Sequence, residues 1–249
     1  MKHVEVEVTG ISDLISKLEA HRSPGDKAWF RGHADISWGL APSISRQREN
    51  PVQDEFAYFK KFKQDAARVV SDLPSDEWGW MFLMQHYGIP TRLLDFSENP
   101  LVALYFAVSS HPGADGALYV MDPVAWNAEN GMRGSTKDDI PLCGIDEEMS
   151  QYMMSSAMQT IGVGQSAPAL AAIGARNSRR IFAQEGTFVV FHHDMDMDGK
   201  VQNADCKSVW RYRISATNKE LIKRHLALLS INEFSIFPEL DKLAKKIVG

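Results

Sequence analysis

Residues 80–108 read WMFLMQHYGIPTRLLDFSENPLVALYFAV, and the fold turns on how this stretch divides. Trp78 to His86 is apolar enough for a buried helix, and Gly88 with Pro90 ends it and turns the chain. Pro100 to Ser109 reads as a second helix, with Ser97 or Asn99 as its cap and proline in its first turn. Between them, Gln85, His86, Tyr87, Thr91, Arg92, Asp95, Ser97 and Asn99 fall within 15 positions. Burying so many donors and acceptors is costly unless they pair or meet a ligand, so the segment is expected to shape a pocket. Blander explanations exist for single members. Capping alone accounts for Ser97 and Asn99, and a satisfied interior histidine accounts for His86.

Upstream, Val4, Val6 and Val8 alternate with charged residues and suggest a strand, and Ser12 can cap a helix that Ser23-Pro24-Gly25 stops. Ala28 to Arg31 reads as a strand, and Asp54 to Leu73 as an amphipathic helix with Phe56, Phe59, Phe62, Ala66, Val69 and Val70 on its core face. Downstream, Ala117 to Met121 is a buried strand before Asp-Pro, which points to a parallel or mixed sheet. From 124 to 178 the periodicity weakens and Gly, Ser, Met and Ala accumulate, so a long connection with short helices is expected, free to act as a lid. Arg180 to His192 reads as a strand pair or one bent strand, and Val209 to Ile214 as another strand. Thr217 caps a helix through Leu229, and a turn over Ile231 to Pro238 leads into a basic amphipathic tail. The reading is one α+β domain over residues 1–249, with a strand and helix in 1–26 as its N-terminal part.

A chain of 249 residues with 44% hydrophobic content can bury a substantial core without disulfides or metal. Cys143 and Cys206 form neither a disulfide framework nor a metal-binding spacing, which fits a reducing compartment. The opening MKHVEVEVTG lacks a secretory apolar core, and no apolar run reaches about 18 residues, so a cytoplasmic protein without membrane spans is expected. A net charge of −5 and a pI near 5.9 give no footprint for a phosphate backbone, which makes nucleic acid an unlikely partner.

Two further stretches carry candidate chemistry. In WFRGH, Arg31 ends an apolar strand just before Gly32; glycine admits a sharp turn or a close ligand, and guanidinium offers a planar fork for phosphate or carboxylate. The alternative is a structural arginine paired with a buried acid such as Asp95. In RRIFAQEGTFVVF, Gln184 and Glu185 precede Gly186 at the mouth of a strand, where a carboxylate could stabilise a cation or act as a base, or simply mark an edge. His192, His193 and the following DMDMDG resemble half a calcium loop but lack its distal glutamate, so a solvated turn and no metal are expected.

Together, WFRG, QHYGIPTRLLDFSENPLVALYFAV, DGALYVMDP, RIFAQEGTF and SIFPELDKLA resemble the FRG domain family, whose members are bacterial and phage-associated. The order strand-Arg, then Ser with a following helix, then strand with an acid is more distantly similar to ADP-ribosyltransferases. That resemblance implies a mixed, split central sheet flanked by helices, NAD as substrate, and a toxin or antiphage effector acting on an unknown macromolecular acceptor. It implies that Arg31 holds the NAD phosphates, that Ser97, Tyr105 and Phe106 lie near the nicotinamide, and that Glu185 or Gln184 assists its departure. Gln85, Tyr87, Thr91, Arg92 and Asp95 would shape the pocket, with His86 as a possible acid or base. The transferase signature sets its glutamate two positions after a Gln or Glu, where this chain has Gly186, so only one of Gln184 and Glu185 can face a ligand. Two other readings remain open: a non-catalytic NAD or ADP-ribose sensor, and a nucleic-acid processing module using His86, Arg92 and Asp95. The last would gain if Lys60, Lys61, Lys63, Arg68 and Arg92 lined one face.

Overall fold

The computed structural model describes residues 6–21, 26–46, 49–132, 140–163, 166–176, 178–195, 197–201 and 206–248. Its strands are β1 (Val6–Glu7), β2 (Trp29–His33), β3 (Leu93–Ser97), β4 (Gly116–Met121), β5 (Leu170–Ala172), β6 (Gly186–Val190) and β7 (Val209–Ile214). Its helices are α1 (Ile11–His21), α2 (Pro51–Ala66), α3 (Glu77–His86), α4 (Pro100–Val108), α5 (Pro123–Glu129), α6 (Met154–Gln159), α7 (Arg179–Ala183), α8 (Met197–Val201), α9 (Ala216–Leu228), α10 (Glu233–Ile236) and α11 (Leu240–Val248). The strands form one open mixed sheet in the order β1-β7-β4-β2-β3-β6-β5, with β1 parallel to β7 and every other pair antiparallel. This is a single α+β domain.

The junction at the middle of the sheet is the feature that positions the site. β2 pairs with β4 over five residues and β3 with β6 over five, but β2 and β3 pair only through Phe30 and Ser97. Strand alternation puts Phe30 and Gly32 on the same face as Ser97, Asp95 and Leu93. On that face α4, α9 and α1 pack over Phe30, Leu118, Val120, Tyr212 and Ile214. Farther along it, α3 and part of α2 cover Leu93, Phe188 and Val190. A gap remains between α3 and α4, above the point where β2 and β3 part. The opposite face carries Trp29, Leu94, Phe96, Tyr119 and Val189, packed with Ile44 and Trp126.

α4 lies close because β2 presents glycine to it. A Cβ on Gly32 would stand 1.8 Å from the Ala103 carbonyl oxygen. Gly32 therefore serves helix–sheet approach, and its backbone φ is not in the left-handed region. Asn99 caps α4, its Oδ1 accepting from Leu101 N at 2.9 Å, and Asp76 caps α3 in the same way.

Several expectations need correction. Residues 179–183 are helical and only Gly186–Val190 is strand, so Arg180 to His192 is neither a strand pair nor a bent strand. Ser215, not Thr217, caps α9, and the expected turn at 231–238 contains α10, with a reciprocal Asn232–Ser235 capping box. Residues 192–198 are not a plain solvated turn: Met195 and Met197 are buried, and Asp198 accepts from Leu40 N at 2.9 Å. Asp196 and the Ser23-Pro24-Gly25 stop lie outside the described residues, as does Val4. The described part of 124–178 is anchored, with Met149, Tyr152, Met154 and Ala157 fully buried and β5 forming the sheet edge. No described helix is long and apolar enough to cross a membrane.

Candidate functional site

The gap between α3 and α4 holds a cleft of about 200 Å3 floored by β2, β3 and β6. Asp95 sits at the centre of β3 yet is exposed, because no helix covers it. The register that pairs Phe30 with Ser97 would next set Gly32 against Asp95, but the ladder stops there. Arg31 supplies the missing donor: its Nη1 donates to the Asp95 carbonyl oxygen at 2.6 Å, and its Nε donates to His33 Nε2 at 3.0 Å. The arginine thus bonds the backbone of Asp95, not its carboxylate as a structural ion pair would require. Burial pulls the Arg31 pKa down to about 10, so it stays cationic at neutral pH.

His33 completes that arrangement. It is buried, and its other nitrogen, Nδ1, faces the Trp38 carbonyl oxygen at 3.2 Å. Nδ1 must therefore carry the proton while Nε2 accepts, a tautomer assigned from the partners. Burial first, and the adjacent Arg31 charge second, push the imidazole down to about 3, so it is neutral.

The Asp95 carboxylate is oriented from the other side. Thr91 Oγ1 donates to Gln85 Oε1 at 2.5 Å, and Gln85 Nε2 donates to Asp95 Oδ2 at 2.8 Å. The amide of Gln85 has one orientation compatible with both bonds, and Asp95 Oδ1 has no partner among the described residues. His86 also lines the cleft. Its Nδ1 is buried without a hydrogen-bond partner, and burial, then Arg180, depress its pKa. Phe106 and Phe188 supply aromatic walls.

Of the residues singled out from sequence, Arg31, Gly32, Gln85, His86, Asp95, Ser97, Phe106 and Gln184 line this cleft. Ser97 uses its hydroxyl as a brace, donating to Gln184 O at 2.7 Å and accepting from Asn99 N at 2.9 Å. Gln184, not Glu185, faces the cleft. Glu185 has a left-handed backbone, φ 46°, and its Oε1 accepts from Asn99 Nδ2 at 2.9 Å. Tyr87 lies outside, largely exposed on a neighbouring groove, and Tyr105 packs with the α4–α9 core. Thr91 acts only through Gln85. Arg92 is fully buried behind the cleft, its Nε and backbone N both donating to Glu55, the latter at 2.7 Å. Arg92 is therefore a structural residue that joins α2 to the start of β3.

Sequence reasoning missed Arg180, His33 and Phe188. Arg180 lines the cleft, donates from Nη1 to His86 O at 3.0 Å and stacks over the Phe237 ring at 4.8 Å. No pattern marks it, because α7 is too short to show periodicity. His33 stood beside the motif, and only its alternation with Arg31 could have flagged it. No group of three or more potential metal ligands occurs among the described residues.

Residues 26–115 match the family model of the FRG domain. Over that segment the chain is similar to FRG domains. The matched FRG segment runs from the approach to β2 to just before β4, and it supplies Arg31, His33, Gln85, Asp95 and the α4 wall. The other walls, from α7 and β6, lie beyond it. No curated protein and no solved structure matches the chain.

Proposed function

We propose that the cleft is a nucleotide site and that the protein consumes NAD, as an ADP-ribosyltransferase or NAD glycohydrolase acting as a bacterial toxin or antiphage effector. The observation that carries this reading is the grouping of a guanidinium, a carboxylate and an aromatic wall, Arg31, Asp95 and Phe106, around one cleft at a split in the sheet. The chemistry fits those groups. As the bond between ribose and nicotinamide breaks, its electron pair neutralises the pyridinium, and positive charge develops on the ribose carbon and ring oxygen. A fixed carboxylate stabilises that cation, an aromatic wall suits the departing ring, and a guanidinium suits a nearby phosphate. Water or an acceptor nucleophile then takes the ribose carbon and gives up its proton. In this reading Asp95 has the role that the sequence suggests for Glu185, since Oδ1 of Asp95 is open and Glu185 is turned to Asn99.

The test is nicotinamide release from NAD, with and without cell lysate. Asp95→Asn is expected to lose roughly 100-fold or more, the scale of removing one electrostatic stabiliser, and Glu185→Gln to stay within a few-fold. A silent wild type, or loss confined to Glu185→Gln, overturns it. A second reading, a non-catalytic NAD or ADP-ribose sensor, is favoured by the engagement of both Arg31 and Glu185 within the protein. Tight ADP-ribose binding without turnover selects it.

A further inference from the structure

The cleft is too small for a whole dinucleotide. Its volume is about 200 Å3, whereas sites that enclose drug-sized ligands run to roughly 300–1,000 Å3. A pyridine or purine ring with part of a sugar fills it. A second groove of about 530 Å3 adjoins it, and the two share Phe82, His86, Arg180 and Ile181 as their partition. Beyond the partition the groove runs between the start of α3, at Asp76 and Gly79, and the start of α7, at Ser178 and Arg179.

The partition residue with charge is Arg180. One of its amino groups is held by His86 O and its plane by Phe237, and its remaining N–H groups have no partner among the described residues. Arg31 is the weaker candidate for a phosphate, because two of its three nitrogens are already bonded to His33 and Asp95. On the groove itself, Tyr87 is 63% exposed; its ring meets His86 edge-on at 4.8 Å and Phe62 at 6.5 Å, which fix its direction and leave the rest of it to solvent, where a base can stack. Asp72, Asp76 and Glu239 also line it, Asp76 with one oxygen already capping α3; such carboxylates are suited to accept from sugar hydroxyls, while Arg179 and Arg180 supply the groove's positive charge.

We propose that this groove binds the phosphate and second nucleoside of a nucleotide whose ring end occupies the cleft, with Arg180 holding the phosphate at the partition and Tyr87 stacking on the outer base. The inference rests on the nucleotide reading of the cleft and moves the phosphate contact from Arg31 to Arg180.

Calorimetric titration of the full chain with nicotinamide, adenosine, ADP and ADP-ribose tests it. ADP is expected to bind about tenfold tighter than adenosine, the effect of one charge-assisted contact. Arg180→Gln is expected to erase that advantage, so that ADP and adenosine bind the variant alike. Arg179→Glu, on an exposed side chain of the same groove, weakens ADP binding in the same direction and serves if Arg180→Gln is unstable. ADP binding no tighter than adenosine, or equal in wild type and both variants, overturns the proposal. The two claims separate cleanly. ADP binding that depends on Arg180, with no nicotinamide release from NAD, removes the reaction and keeps the groove; NAD cleavage with an unchanged KM in Arg180→Gln keeps the reaction and removes the groove.

Discussion

Arg31 keeps its direction because its neighbour two positions along is a neutral histidine that accepts a hydrogen bond. Protonating His33 would replace that acceptor with a second donor and set two cations against each other. The linkage follows from the shift. The unfolded imidazole titrates near 6.5 and the folded one near 3, so between those values the unfolded state binds more protons and stability falls as pH falls. The contribution of neutral His33 is intact above about 6.5 and is lost progressively toward 3, at roughly 1.4 kcal/mol per pH unit. His192, also buried and pushed down to about 4, adds a parallel loss over a narrower window. Urea midpoints taken from pH 7 to pH 4.5 should therefore drop steeply in the wild type and more gently in His33→Gln. Identical slopes would show that His33 is not protonated on unfolding in this range. At this scale the sequence was legible where polar residues crowd together. Of that run Gln85, His86, Asp95 and Ser97 line one cleft while Tyr87, Thr91 and Arg92 do not, and nothing in it separated Asp95, which faces the cleft, from Arg92, which lies wholly behind it. Three positions on a short strand and its approach decide that, and composition does not record side-chain direction.

Between elements, Glu55 on α2 and Arg92 at the entry to β3 form a fully buried ion pair, with Arg92 Nη1 and Nη2 lacking a hydrogen-bond partner among the described residues. Two opposite charges out of water add little net stability together, yet removing one strands the other. Glu55→Ala should lose about 3–5 kcal/mol in chemical denaturation, and Glu55→Leu combined with Arg92→Met should recover most of it. A double variant as unstable as the single one would mean that the pair contributes more than charge balance. Regular elements with clean periodicity were readable in advance: α3, α4, β4 and β7 lie within a position or two of where the pattern of apolar residues sets them, whereas α2 spans Pro51–Ala66 and stops seven residues short of the expected Leu73, leaving Val69 exposed and off the core face. β3 was not, because an aspartate at the middle of LLDFS breaks the alternation, and it does so for the reason that makes it interesting. α7 was misread as strand since five residues rich in Ile and Phe carry no helical period, and tertiary packing against β6 decided their form.

For the whole molecule, the sheet is two half-sheets, β1-β7-β4-β2 and β3-β6-β5, meeting at one residue pair, with α4 packed across β2, β3 and β4. The cleft lies at that seam, where the strand pairing is thinnest. The charge distribution bears on the nucleic-acid reading. Lys60, Lys61, Lys63 and Arg68 are exposed on and just after α2, Lys61 paired with Asp65, but Arg92 is fully buried against Glu55, so the five basic residues do not line one face. Fluorescence anisotropy with a labelled single-stranded oligonucleotide should detect no binding at physiological salt in the micromolar range; a tight, steeply salt-dependent isotherm would restore that reading.

The glycine of the Phe-Arg-Gly triplet has a consequence for what the motif can say about relatives. Phe30 is core, Gly32 is spacing for α4, and of the three letters only Arg31 offers a functional group to the cleft. A search keyed to the triplet therefore selects chains that share a way of packing a helix on a strand. It carries little information about which bond, if any, those chains break.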